Sequence, residues 1–243
     1  MGNVRTVLVT GGALGIGRAI ASTYALNGWN VICHYFSSHE KANSVKHEIN
    51  NIGRRCKLIQ SDLSLMEGIE GFIKKIKHFR IDALINNAGT YVAQKYFSEL
   101  AYADLLETFT LNTFAPILLS SFVFEEMKKR NFGRVVNISS IAAKYGGSSH
   151  SAHYGCSKRA LEGLTKTLAR EGAPYSILVN TIRPGVIDTD FHAKYPKDMN
   201  KRIAMIPLKR MGTSTEVAEM AYFLGSERNT FITNEIITIS GGE

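Results

Sequence analysis

Cysteine is scarce: the 243 residues hold three, Cys33, Cys56 and Cys156, an odd count with no C-x-x-C pair. That excludes a disulfide framework and gives no metal-site signature, so a reducing cytoplasm is the expected setting. Five prolines and no Pro-, Gly- or Ser-rich tract leave nothing to read as an interdomain linker. No fixed internal period marks a repeat array. No charged and then apolar leader precedes "VRTVLVT", and no apolar run approaches membrane-spanning length, so a soluble, untargeted protein is expected. The formal charge is +8, yet 21 acidic residues are interleaved with 29 basic ones and no aromatic–basic segment occurs. A basic surface serving anionic small molecules is expected, and nucleic acid is not.

What is present is alternation. Short apolar runs at 7–10, 30–35, 56–60, 83–86, 134–139, 177–182 and 235–239 are separated by longer stretches at helical spacing. In "GIEGFIKKIKHF", Ile69, Phe72, Ile73 and Ile76 recur three and four apart with lysines between them, which predicts a helix covering a sheet. Seven strands separated by helices predict one α/β domain over 1–243, a doubly wound seven-stranded parallel sheet with helices on both faces. The longest irregular stretch, about 184–213, is expected to form a substrate lid.

Between the first strand and the first helix, "VLVTGGALGIGRAI" places Gly11, Gly12, Gly15 and Gly17, where bare backbone can approach a pyrophosphate at a helix N-terminus. Tight helix–sheet packing is the alternative. A site that prefers NAD carries a carboxylate at the end of the second strand, but here Tyr35 stands in that place, followed by Ser37, Ser38, His39 and Lys41. These donors suit a 2′-phosphate, so NADP(H) is favoured over NAD(H). Ser37 and Ser38 also suit a helix cap.

Tyr154 and Lys158 stand four apart in "SAHYGCSKRAL" and so share one helix face. A phenol is a weak acid near neutrality, and a nearby ammonium favours its ionised form, which fits the pair for proton transfer. Y-x-x-x-K alone is common on helix surfaces. Here it occurs with "TGGALGIG" (10–17), "NNAG" (86–89), "LN" (111–112), "NISS" (137–140) and "RPG" (183–185). Together these resemble the short-chain dehydrogenase/reductase family along essentially the whole chain.

The resemblance implies a Rossmann domain and a hydride transfer between a nicotinamide and a carbonyl or alcohol substrate. It implies Tyr154 as general acid/base, Lys158 as the residue that tunes it, Ser140 as the hydroxyl on the substrate oxygen and Asn112 as the holder of a relay water. Ser139 is the neighbour that competes with Ser140, since strand side chains alternate. For the cofactor the resemblance implies Gly11, Leu14, Ile16, Gly17, Tyr35, Ser37, Ser38, Asp62, Leu63, Asn86, Ala88, Gly89, Tyr154, Lys158, Pro184, Gly185, Ile187 and Thr189; Asn86 also suits a strand-end turn. No metal is implied.

"HYFSSHEKAN", "EEMKKRNFGRVVNISS" and "VIDTDF" look most like the 3-oxoacyl-(acyl carrier protein) reductase branch. That branch reduces a carrier-bound β-keto thioester with NADPH in fatty acid biosynthesis. Arg130 matches one of its carrier-docking cations, but Tyr175 stands where a second is expected, and Asn234 and Ser240 replace a common glycine and aspartate. A sugar, polyol or small-alcohol dehydrogenase of the same family is the alternative, and a non-catalytic NADP(H) sensor or scaffold a third. Lys194, Lys197, Lys201, Arg202, Lys209 and Arg210 in the lid favour an anionic substrate, or else line a solvated face. The family commonly forms tetramers, so a homotetramer or dimer is expected.

Overall fold

The computed structural model describes residues 4–90, 94–191 and 198–243. Its strands are β1 (Thr6–Val9), β2 (Asn30–Tyr35), β3 (Cys56–Gln60), β4 (Ala83–Asn86), β5 (Gly133–Ile138), β6 (Ile177–Pro184) and β7 (Ile236–Ile239). The helices are α1 (Gly15–Leu26), α2 (His39–Asn51), α3 (Met66–Ile76), α4 (Tyr102–Phe109), α5 (Ala115–Arg130), α6 (Ala142–Tyr145), α7 (Ala152–Gly172), α8 (Met199–Met205) and α9 (Ser214–Leu224). All seven apolar runs read from the sequence are strands, paired in parallel in the order β3-β2-β1-β4-β5-β6-β7.

Alternation along the strands feeds two cores. Val7 and Val9 pack on Ile20 and Tyr24 of α1 and Val217 and Ala221 of α9. Leu8, between them, faces Phe72 and Ile76 of α3, Leu119 of α5 and Leu168 of α7 on the other side of the sheet. Each such large side chain contributes roughly 1.5–3 kcal/mol on burial. Ile69, Phe72 and Ile76 are fully buried, as their spacing requires, and Ile73 packs at the edge of that cluster.

A π-helical turn, Thr110–Phe114, joins α4 to α5. The resulting run Tyr102–Arg130 is long and apolar enough by composition to cross a membrane, whereas the sequence reading found no apolar run approaching that length. Half of its apolar window is buried inside the protein, where α5 packs on α3 and α7, as in a core helix. The strand order reverses between β1 and β4, and the loops after these strands diverge there to open a crevice at the carboxyl edge.

Candidate active site

Four segments meet at that edge: the glycine turn after β1, the loop after β4, the end of β5 with the start of α7, and the turn after β6. They line a cleft of about 470 Å³, a size usual for small-ligand sites.

The glycine turn is tightly specified. Gly11 has φ +64°, and a Cβ on Gly17 would lie 2.1 Å from the Gly11 carbonyl oxygen. Leu14, the N-cap of α1, gives no side-chain cap, and the first turn holds no acidic residue. The first amides of α1 and the positive end of its dipole therefore face the cleft, which fits a pyrophosphate. Thr10 Oγ1 donates to Ile85 O (3.2 Å) and accepts from the amides of Asn87 (2.9 Å) and Ala88 (3.0 Å). Asn87 Nδ2 donates in return to the carbonyls of Thr10 (2.9 Å) and Gly11 (3.2 Å).

His34 braces the turn from below. Its Nδ1 accepts from Gly11 N–H (3.0 Å), so Nε2 carries the proton and donates to Ser61 O (3.1 Å). Its carbonyl accepts from Gly12 N–H (2.8 Å), and its ring stands edge-on to Phe72. Burial pushes the imidazole down to about 4, so it is neutral.

Tyr154 and Lys158 project from α7 into the same cleft as Ser140. Lys158 is 3% exposed, donates from Nζ to Ile138 O (2.9 Å) and lies 5.9 Å from the centroid of the Tyr154 ring. Burial lowers its ammonium to about 8. Ser140 Oγ accepts from Ala142 N–H (3.1 Å) in the part-buried wall of the cleft, whereas Ser139 Oγ is buried and donates to Glu162 Oε1 (2.9 Å). Asn112, in the π turn, is wholly buried: Nδ2 donates to Thr90 O (2.7 Å) and Ser157 Oγ (3.0 Å), and Oδ1 accepts from Thr90 N–H (3.0 Å). Gly89, in the cleft wall, packs against Lys158 and Asn112. A Cβ there would lie 2.7 Å from Lys158 Nζ and 2.9 Å from Asn112 Oδ1.

Of the residues expected at the cofactor, Gly11, Leu14, Ile16, Gly17, Ala88, Gly89, Tyr154, Lys158, Pro184, Gly185, Ile187 and Thr189 line the cleft. Asn86 does not: its Nδ2 turns inward to Asn137 Oδ1 (2.8 Å) and Ser120 Oγ (3.1 Å), and it is Asn87 that reaches the glycine turn. Leu63 is buried in the core, and Asp62, holding Ser64 N–H (2.9 Å), borders a neighbouring groove. Tyr35 is also buried, its hydroxyl 2.8 Å from His39 Nδ1; Ser37 is exposed, and Ser38 occupies the N-cap of α2 without a side-chain cap bond. Within 184–213, Arg202 lines the cleft and pairs with Glu243, and Arg210 is taken by Glu216. Lys194 and Lys197 lie outside the described residues. Arg130 donates to Ile81 O (2.7 Å). Among the described residues no cluster of His, Cys, Asp or Glu could hold a metal.

The fold and the cleft define a dinucleotide-dependent oxidoreductase of the doubly wound class. The sequence profile of the family described as short chain dehydrogenase matches residues 5–200. The chain is 37% identical over 239 residues to a 3-oxoacyl-[acyl-carrier-protein] reductase of Aquifex aeolicus, covering 97% of this chain and 95% of that protein. A 3-oxoacyl (acyl-carrier-protein) reductase from Agrobacterium tumefaciens with NADP bound superposes with a TM-score of 0.90 at 30% identity, over 98% of this chain and 94% of that one. An acetoin dehydrogenase from Salmonella typhimurium gives a TM-score of 0.88 at 29% identity, over 99% and 96%. This chain belongs to the short chain dehydrogenase family, oxidoreductases that interconvert alcohols and carbonyls with a nicotinamide cofactor.

Proposed function

We propose that the protein reduces 3-oxoacyl thioesters with NADPH. The observation that carries this reading is one cleft that joins Ser140, Tyr154 and Lys158 to an open glycine turn. A bound nicotinamide supplies the hydride, at its C4. The chain supplies the proton and the orientation. Ser140 Oγ accepts from Ala142 N–H and keeps its own proton to donate to the substrate oxygen. Tyr154 passes its proton to that oxygen as negative charge develops there, and the Lys158 ammonium stabilises the phenolate left behind. Asn112 holds the loop at Thr90 behind the lysine.

NADP(H) is the preferred cofactor because β2 ends in Tyr35 and not in a carboxylate, with exposed Ser37 beside it. The NADP bound in the Agrobacterium neighbour supports this. The similarity to the 3-oxoacyl reductases supports a carrier-bound substrate, an acyl carrier protein as partner and a cytoplasmic setting. The stretch 184–213 serves as the substrate lid. Exposed Tyr102, Leu106, Phe114 and Ile117 on α4, the π turn and α5 suit packing between subunits of a homotetramer.

Two observations favour a second reading, a small-alcohol or sugar dehydrogenase: Tyr175 stands where a second docking cation is expected, and Arg130 is engaged by Ile81 O. Consumption of NADPH and of NADH, measured in parallel against acetoacetyl thioesters, sugars and small ketones, separates the two. Thioester turnover with NADPH is expected; turnover of acetoin or sugars alone replaces the first reading with the second.

A further inference from the structure

One buried charged cluster touches none of the reacting side-chain groups. Glu162 lies on α7 four residues beyond Lys158 and eight beyond Tyr154, on the same helix face. Its side chain is 3% exposed. Oε1 accepts from Ser139 Oγ (2.9 Å) and Arg183 Nε (2.8 Å), and Oε2 from Arg183 Nη2 (2.8 Å) and Arg159 Nη1 (3.1 Å). Ser139 Oγ also lies 3.3 Å from Lys158 O.

Each inner partner adjoins a cleft residue: Ser139, itself in the cleft wall, precedes Ser140, and Arg183 precedes Pro184 and Gly185. Successive side chains of an extended chain point to opposite sides, so holding Ser139 towards α7 turns Ser140 into the cleft. The two-point bond from Arg183 fixes direction as a single contact would not. A buried ion pair adds little net stability over apolar packing of the same volume, so geometry is what this one supplies.

We propose that Glu162 is a positioning residue for proton transfer. One carboxylate sets the register of α7 against the ends of β5 and β6, and so the mutual placement of Tyr154, Ser140 and the Pro184–Gly185 turn. The inference rests on the functional reading above.

Two variants test it. Glu162→Gln keeps the volume but loses the charge and one acceptor oxygen; Ser139→Ala removes one link and leaves the ion pair intact, so it stays informative if the first variant folds poorly. The readouts are kcat and KM on the best substrate of the panel, NADPH Kd by fluorescence, and amide hydrogen exchange. Glu162→Gln is expected to lower kcat about 100-fold and Ser139→Ala about tenfold, with KM and NADPH Kd within about twofold of wild type. Exchange is expected to rise about tenfold at 138–141, 154–162 and 182–186 only. Unchanged kcat in both variants overturns the inference, as does a loss matched by weaker NADPH binding and exchange raised throughout. A wild type that binds NADPH but turns over nothing on the panel sinks the functional reading instead. Exchange then decides: a rise confined to the three segments upholds the Glu162 link, and any other pattern overturns it.

Discussion

Lys158 Nζ donates to the carbonyl oxygen of Ile138 across 2.9 Å, tying α7 to the last residue of β5 directly beneath the Tyr154 ring. The bond offsets part of the cost of burying an ammonium, and the remainder appears as its lowered pKa, about 8. Below that pH the group is charged and stabilises a phenolate; above it the charge is lost. Carbonyl reduction is therefore expected to hold from neutrality to about pH 8 and then fall, with Lys158→Met about 100-fold slower and lacking that limb. A pH–rate profile of both proteins checks this, and a wild-type profile flat to well above pH 8 contradicts it.

Both serines border the cleft, but among the described residues Ser140 Oγ is bonded only by Ala142 N–H, while Ser139 Oγ is buried against Glu162. Ser140→Ala is expected to cut kcat by about tenfold to 100-fold while leaving the melting temperature within about 2 °C, since no buried partner is orphaned. A kcat equal to wild type would remove Ser140 from the chemistry.

The neutral His34 links the glycine turn to the loop after β3. Its folded-state value near 4 lies below the unfolded value of 6.5. The unfolded chain therefore binds more protons between these two pH values, and its stabilisation, complete above about 6.5, is lost as pH falls through about 4. The loss expected from this group is about 3 kcal/mol. Urea unfolding from pH 7 to 4 should show that component in wild type and not in His34→Ala. His34→Ala should also bind NADPH more weakly, because Gly11 N–H loses its acceptor.

Cofactor choice is expected to lie at the end of β2. A carboxylate introduced by Ser37→Asp, at an exposed position beside Tyr35, should raise the KM for NADPH about tenfold and change that for NADH little. Equal changes for both cofactors would place the 2′-phosphate elsewhere.

The fold was legible because parallel strands buried on both faces are continuous apolar runs, and each of the seven, such as "NVICHY" and "CKLIQ", formed where it was read. The cleft was legible where bare backbone or a helical spacing leaves a sequence trace, as at Gly11, Gly17, Tyr154 and Lys158. Contacts between distant segments leave none. Nothing local separates Asn86 from Asn87, yet one side chain turns into the interior and the other to the glycine turn. His34 reads as a strand residue until β1 and β3 are placed on either side of it, and Glu162 stands out only once Arg183 arrives from β6. The apolar length of α4 and α5 emerges only once the π turn joins them into one run, Tyr102–Arg130.

The most direct measurement compares wild type with Tyr154→Phe in NADPH-dependent reduction of an acetoacetyl thioester, with NADPH binding followed by fluorescence in both. Loss of the phenol alone is expected to lower kcat by about 10²–10⁴-fold with NADPH Kd unchanged. Turnover by Tyr154→Phe at the wild-type rate would contradict proton transfer by Tyr154, and with it the chemistry assigned to the cleft.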